Sequence, residues 1–179
     1  DIEARALCRD LKENLGLAGL TGVRVLNRYD VEGLTEAQLQ TVLPTVFAEP
    51  QVDTVQLEDP VIPEGKYFAM EYLPGQFDQR ADSAAQCVQI MLGGERPKVR
   101  SAKVIVLLGD VSDAEVEAAE KYCVNPVESR LANMDKLTTL EDAVTAPPDV
   151  PVVDGFTALD TAGLQQLLQT FGLAMDLDD

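Results

Sequence analysis

The stretch SAKVIVLLGD, residues 101–110, limits the possible folds more than any other part of the chain. Its centre is apolar without interruption from Val104 to Leu108, whereas a half-exposed strand alternates apolar and polar residues. That pattern belongs to a strand buried on both faces, with material packed above and below it.

The flanking segments show what that material is. Helical spacing puts Ile2, Ala6, Leu7, Leu11 and Leu15 on one stripe, which Gly16 ends. Residues 22–31, GVRVLNRYDV, read as a strand with Val23, Val25 and Asn27 on one face and Arg24, Leu26 and Arg28 on the other. Thr35 and Gln38 have capping-box spacing and open a helix carrying Leu39, Val42, Leu43 and Val46. Pro44 within it implies a kink or an early end. VDTVQLED, residues 52–59, alternates as a strand should, and residues 60–65 form a turn-rich connector.

The second half repeats the alternation. KYFAMEYL, residues 66–73, reads as a strand. The helix after it carries Ala81, Ala84, Ala85, Val88 and Met91 on one side and ends at Gly93-Gly94. After the central strand, Ser112 and Glu115 form a second capping box that opens a helix over residues 113–123. A short helix is expected to restart after Pro126, at VESRLA. Met134 to Pro151 is irregular, with Pro147-Pro148, and reads as a linker. A last amphipathic helix over residues 159–171 begins at Asp160-Thr161 and is followed by Gly172.

This order predicts an α+β fold: two tandem ferredoxin-like pseudo-repeats, with antiparallel sheets and helices packed on one face. The break between them is expected near residues 60–65. The predicted domain occupies residues 1–132, an irregular linker residues 133–152, and a truncated helical segment residues 153–179. The first half lacks an opening strand to match residues 66–73, and both ends read as cut, as in a piece of a longer polypeptide.

Charge narrows the partners. Fourteen Lys+Arg against thirty-one Asp+Glu give a net charge of −17, which repels nucleic-acid backbones and anionic membranes, so neither is expected as a partner. No apolar run reaches the roughly 18–20 residues of a membrane span. Cys8, Cys87 and Cys123 are far apart and histidine is absent. Zinc-site and disulfide spacing are therefore missing, as are Ser-His and Cys-His nucleophiles. The three thiols are expected to lie buried on helix faces in a cytoplasmic protein. Asp176, Asp178 and Asp179 lack the glycine and distal glutamate of a calcium loop and read as a solvated edge. LGGERPK lacks phosphate-loop spacing and reads as a helix end followed by a turn.

The loop LPGQFDQRADSAAQC, residues 73–87, remains. A Pro-Gly turn leads to a helix whose N-cap is either Asp78 or Asp82, either of which would occupy the amide donors there. Three readings stay open. The loop is a capped helix start with Arg80 tied to its acidic neighbours, an exposed polar docking surface, or the lining of a pocket. A docking surface would use Gln76, Gln79 and Arg80 as hydrogen-bonding groups and Phe77 as an aromatic anchor. Without a partner, Phe77 should fold back on the core.

Several segments together resemble one family: EYLPGQFDQRADSAAQCVQ, LNRYDVEG, PQVDTV, NPVESR and GFTALDTAGLQQLL with GLAMDLDD. They are similar to the N-terminal region of the large single-chain phosphoribosylformylglycinamidine synthase, the formylglycinamide ribonucleotide amidotransferase of purine biosynthesis. The resemblance implies two fused copies of a small PurS-type accessory unit, followed by the entry into that enzyme's linker domain at residues 153–179. It implies a non-catalytic scaffold coupling glutaminase and synthetase domains of the same polypeptide in a glutamine-dependent, ATP-using ligase. ATP and magnesium belong to the whole enzyme, with no cofactor in this region, and no catalytic or metal-binding residue of the family maps onto this chain. The expected interdomain contact is Pro74, Gly75, Gln76, Phe77, Asp78, Gln79, Arg80, Asp82, Ser83 and Gln86. The isolated chain is expected to be inactive and monomeric, with self-association through any patch left bare. The alternative is a free-standing ferredoxin-like module that binds a small effector and regulates a partner.

Overall fold

The computed structural model describes residues 2–58, 60–62, 64–141, 149–150 and 152–177. The chain divides into two units, residues 1–142 and 143–179.

In the first unit the elements follow the alternation in the sequence. Helix α1 spans Ile2–Leu15, strand β1 Leu20–Glu32, helix α2 Glu36–Val42 and strand β2 Lys66–Tyr72. Helix α3 spans Gln79–Leu92, strand β3 Lys98–Gly109, helix α4 Asp113–Cys123 and strand β4 Ser129–Leu131. All four strands join one antiparallel sheet in the order β1-β3-β2-β4. The unit is thus α+β and consistent with a ferredoxin-like fold, and strands from both halves of the sequence share its sheet.

The uninterrupted apolar run of β3 has the two-sided burial it demands. Ile105 and Leu107 face Leu7, Leu11 and Leu15 of α1 and Val116 and Ala119 of α4, together with Val23 and Phe68 of the neighbouring strands. Val104 and Val106 face the other way, with Ala69 and Leu26, and are covered by Ile62, Ala132 and Met134 from loops. Val106 and Leu107 are both fully buried. Alternation along β1 and β3 places Tyr29 and Ser101 on the helical face, where α3 meets them through Arg80 and Asp78. The sheet therefore has one helical face and one face covered by loops.

Both capping boxes form as their spacing predicts. Thr35 and Gln38 open α2, and Ser112 and Glu115 open α4, each side chain bonded to the other's backbone amide. Pro44 ends α2 early, and the chain widens into a π-helical turn, Leu43–Phe47. This turn brings Phe47 edge-on to Tyr29, with ring centroids 5.2 Å apart.

Five expectations are corrected. Ile2, expected on the apolar stripe of α1, lies in its first turn and is exposed, while Ala4 and Leu11 are the buried residues of the helix. Residues 52–58 form no strand; Asp59 lies outside the described residues. The Val52 and Asp53 amides donate to the Glu49 carbonyl, and the Glu49 amide donates to the Asp53 carboxylate. That turn holds the start of the segment away from any ladder and leaves Val52, Val55 and Leu57 exposed. VESRLA is not a helix: it turns, and Ser129–Leu131 pairs with Tyr72–Met70. So short a helix cannot repay its own nucleation, whereas the β2 edge offers ready-made partners. Cys87 is exposed, although Cys8 and Cys123 are half-buried against the helical-face core. The buried stripe of α3 is Ala81, Ala84, Ala85 and Val88, and Cys87 points off it, as does Met91 near the helix end.

The irregular stretch after β4 belongs in part to the first unit. Asn133 accepts from Arg28 through its carbonyl oxygen, and the Leu140 amide donates to Glu32. Residues 142–148, including Pro147-Pro148, and Pro151 lie outside the described residues. In the second unit, helix α5 spans Thr161–Phe171. Asp160 caps its start, and Gly172, at φ 61°, closes its end with the Leu173 amide donating to Leu168.

Candidate functional site

The loop after β2 is built by local chemistry that the sequence makes visible. The Gln76 amide donates to the Leu73 carbonyl at 3.0 Å, closing a turn through Pro74 and Gly75, which sits at φ 87°. The Leu73 amide in turn donates to Glu128, anchoring the loop to the strand partner of β2. Asp78, not Asp82, is the N-cap of α3: its Oδ1 accepts from the Ala81 amide at 2.9 Å. The same carboxylate also accepts from the Ser101 hydroxyl at 2.9 Å and the Ser101 amide at 2.8 Å. Asp78 thus bolts the helix start to the central strand.

With Asp78 occupied, the remaining residues divide into two groups. Pro74, Gly75, Gln76, Phe77, Asp78 and Asp82 line an open cleft of about 380 Å³, whose far wall is the beginning of β3. Phe77 does not fold back on the core and is 69 % exposed. Gln79, Arg80, Ser83 and Gln86 are exposed on α3 but do not line the cleft. Gln86 donates to the Asp82 carboxylate at 3.1 Å. The Arg80 hydrogen bond goes to neither acidic neighbour in sequence: its Nη1 donates to the Tyr29 hydroxyl at 3.1 Å. That bond holds the guanidinium pKa above its ordinary value. Burial opposes the shift, and the tyrosine, Glu3 and Asp78 add to it in that order.

The cleft contains residues that the loop motif did not point to. Arg96, Lys98, Arg100 and Arg130 line it, four of the fourteen cations of a chain with net charge −17. Two acids, Asp78 and Asp82, lie in the same lining. Arg96 pairs with Asp82 at 2.5 Å, Lys98 with Glu141 at 2.7 Å and Arg130 with Glu71 at 2.7 Å. Arg100 donates to the Leu140 carbonyl. The Lys98–Glu141 bond raises the lysine pKa and lowers that of the glutamate. Because the pairs at Arg96 and Lys98 reach solvent, an incoming carboxylate can replace their acidic partners at little cost. One sequence signal was available: residues 96–100 hold three cations within five positions in a chain that is otherwise poor in them.

The arrangement presents a rigid helix start, one bare aromatic ring and a cluster of guanidinium and ammonium groups. An aromatic ring beside such groups has the composition of a contact surface with a polar rim. Among the described residues no group of three or more His, Cys, Asp or Glu could hold a metal ion, and no helix is long and apolar enough to cross a membrane. Asp178 and Asp179 lie outside the described residues. Comparison with protein-family models and with curated proteins gives no match.

Proposed function

We propose that this chain is a non-catalytic scaffold domain that grips other domains through the cleft at the start of α3. The carrying observation is Phe77, exposed beside a cleft that gathers Arg96, Lys98, Arg100 and Arg130 on an otherwise acidic protein. A bare ring flanked by cations is the composition of an interface anchor and its polar rim.

The residue similarities noted above supply the context for this reading. Under it, the chain is the tandem PurS-like region of a phosphoribosylformylglycinamidine synthase, with its two halves meeting near residues 60–65. It bridges the glutaminase and synthetase domains of one cytoplasmic polypeptide and couples ammonia release to its capture. ATP and magnesium act in the synthetase domain, away from this region. The shared sheet is compatible with two fused units, since a pseudo-dimer can pool its strands.

The test is complementation in trans. The remainder of the enzyme, prepared without this region, is assayed for glutamine-dependent and ammonia-dependent synthesis with and without the 179-residue chain. Restoration of the glutamine-dependent rate above the ammonia-dependent one is the expected result, and Phe77→Ala should reduce it. If both rates ignore the chain and no complex forms, the scaffold reading fails. The competing reading, a regulatory module that binds a small anionic effector, draws on the same four cations. It predicts instead that a small di- or tricarboxylate binds the isolated chain and that Arg96→Ala and Lys98→Ala abolish the binding.

A further inference from the structure

We infer that β1 is a self-complementary edge strand through which two copies of this chain pair antiparallel about Asn27, extending each four-stranded sheet into one of eight strands. The inference is independent of the cleft and of the function proposed for it.

Strand β1 is the outermost strand of the sheet and runs for thirteen residues. Its irregularity is confined to Leu20/Gly22, so residues 22–32 keep a continuous register with β3. Every second residue of an antiparallel strand turns its N–H and C=O away from the neighbour it already has. Among the described residues, no backbone group outside β3 hydrogen-bonds to the backbone of residues 22–32. A hollow of about 530 Å³ opens beside the start of this edge, between α1 and Thr21–Val23. Natural edges are blunted by prolines, charged side chains, bulges or short length. Residues 22–32 contain no proline and no lysine, and their charges, Arg24, Arg28, Asp30 and Glu32, are of both signs and therefore able to complement a second copy. The opposite edge, β4, is three residues long and offers far less.

The side chains point to a second copy as the occupant and fix its register. In a sheet continued by a two-fold axis through Asn27, residue 24 faces residue 30 and residue 25 faces residue 29. Arg24 then meets Asp30 of the second copy, twice per interface. On the helical face Val23 meets Val31 and Val25 meets Tyr29, while on the other face Leu26 meets Arg28 through its aliphatic stem. Glu32 meets Gly22, and Asn27 meets itself as an amide pair. No like charges are opposed anywhere along the eleven residues from 22 to 32. A shift of the axis to Leu26 sets Arg24 against Arg28, and a shift to Arg28 sets that arginine against itself. Opposed charges and apolar pairs stabilise a ladder, and like charges directly opposite oppose it. Arg24 is exposed and makes no ion pair within the copy among the described residues. The Asp30 side chain is 19 % exposed; its Oδ1 accepts from Arg28, and its Oδ2 is buried without a partner among the described residues, so the cross-copy pair needs the Asp30 side chain to turn outward.

Sedimentation velocity on the 179-residue chain at concentrations up to ~0.1 mM tests this. The expected result is a concentration-dependent species of twice the monomer mass. Asn27→Asp, which is isosteric and exposed, places two carboxylates together at the axis and should weaken the dimer. Arg24→Glu turns two attractive pairs into repulsive ones and should weaken it about tenfold or more. In a Cys87→Ser background, which removes the exposed thiol, Asn27→Cys should yield a disulfide-linked dimer on mild oxidation that neither the background chain nor Arg24→Cys gives. Circular dichroism matched to the parent shows that each variant is folded. A chain that stays monomeric throughout the range overturns the proposal. So does a dimer that tolerates both charge variants, since it must use another surface.

Discussion

Asp78 offers the sharpest test of how the candidate site is held together. Its carboxylate accepts three hydrogen bonds: one caps α3 at the Ala81 amide, and two come from the amide and hydroxyl of Ser101. Ser101 is 7 % exposed, so water cannot readily replace what it loses. Removal of an N-cap carboxylate costs about 1 kcal/mol. Leaving buried donors unpaired costs about 1–3 kcal/mol more. Asp78→Ala should therefore destabilise the first unit by about 3 kcal/mol. Ser101→Ala, which removes only the hydroxyl, should cost about 1 kcal/mol. The assay is urea unfolding followed by tyrosine fluorescence. The chain has no tryptophan, and its four tyrosines, Tyr29, Tyr67, Tyr72 and Tyr122, all lie in the first unit. With a slope of about 2 kcal/mol per molar, the midpoint should fall by about 1.5 M at an unchanged slope. A loss below about 0.5 kcal/mol, the level of an ordinary surface substitution, would refute the bolt between helix and strand.

Other outcomes follow from the same physics. Cys87, exposed, should react with a thiol reagent in the folded chain, whereas Cys123 should react only on unfolding. Burial pushes the Cys123 thiol up to about 11. Because that folded pKa is raised, its stabilising contribution is complete below about pH 9 and is lost as pH rises toward 11, and alkaline unfolding curves should show this loss. The Glu115 carboxyl is held low by its bonds to Ser112, so the capping contribution at α4 is present above the ordinary glutamate pKa and fades as pH falls through the folded value. Glu115→Gln should flatten that acid limb, as read from melting temperature against pH. Gly65 sits at φ 144°, and a Cβ there would overlap the Leu107 carbonyl oxygen. Gly65→Ala should lower stability by about 2 kcal/mol or more, measured by the same urea series, and a neutral result would show that the β2–β3 entry is not tight. Tyr29→Phe should remove the Arg80 bond yet keep the Phe47 ring contact, shifting stability by about 1 kcal/mol or less.

Local chemistry made much of the fold legible. The Leu7, Leu11 and Leu15 part of the α1 stripe, both capping boxes and the Gly172 stop are written in neighbouring residues, and each formed, whereas Ile2 stays exposed. VDTVQLED failed because alternation states only that a segment can pair, and the Glu49–Asp53 turn left this one without a ladder. VESRLA failed for the converse reason: an available strand edge outweighed a weak local preference. At the candidate site the Pro-Gly turn could be read directly, whereas the choice of Asp78 over Asp82 as cap and the exposure of Phe77 could not. Lys98, Arg100 and Arg130 come from β3 and β4, and only strand pairing brings them opposite the loop. Arg80 shows the same limit. Acidic neighbours in sequence suggested its partners, yet a tyrosine fifty-one residues away takes the hydrogen bond.

The sequence by itself determined the apolar faces of the main elements, the capped starts of α2 and α4 and the Gly172 stop, and that the central strand must be covered on both sides. Periodicity, caps and turns act over a few residues, so they are fixed before any long-range contact exists. Only the tertiary structure decided that four strands share one sheet, that β1 lies at its edge and that the loop faces a cluster of cations. Those outcomes depend on competition among all strands for the same ladder of hydrogen bonds, and no single segment encodes who wins it.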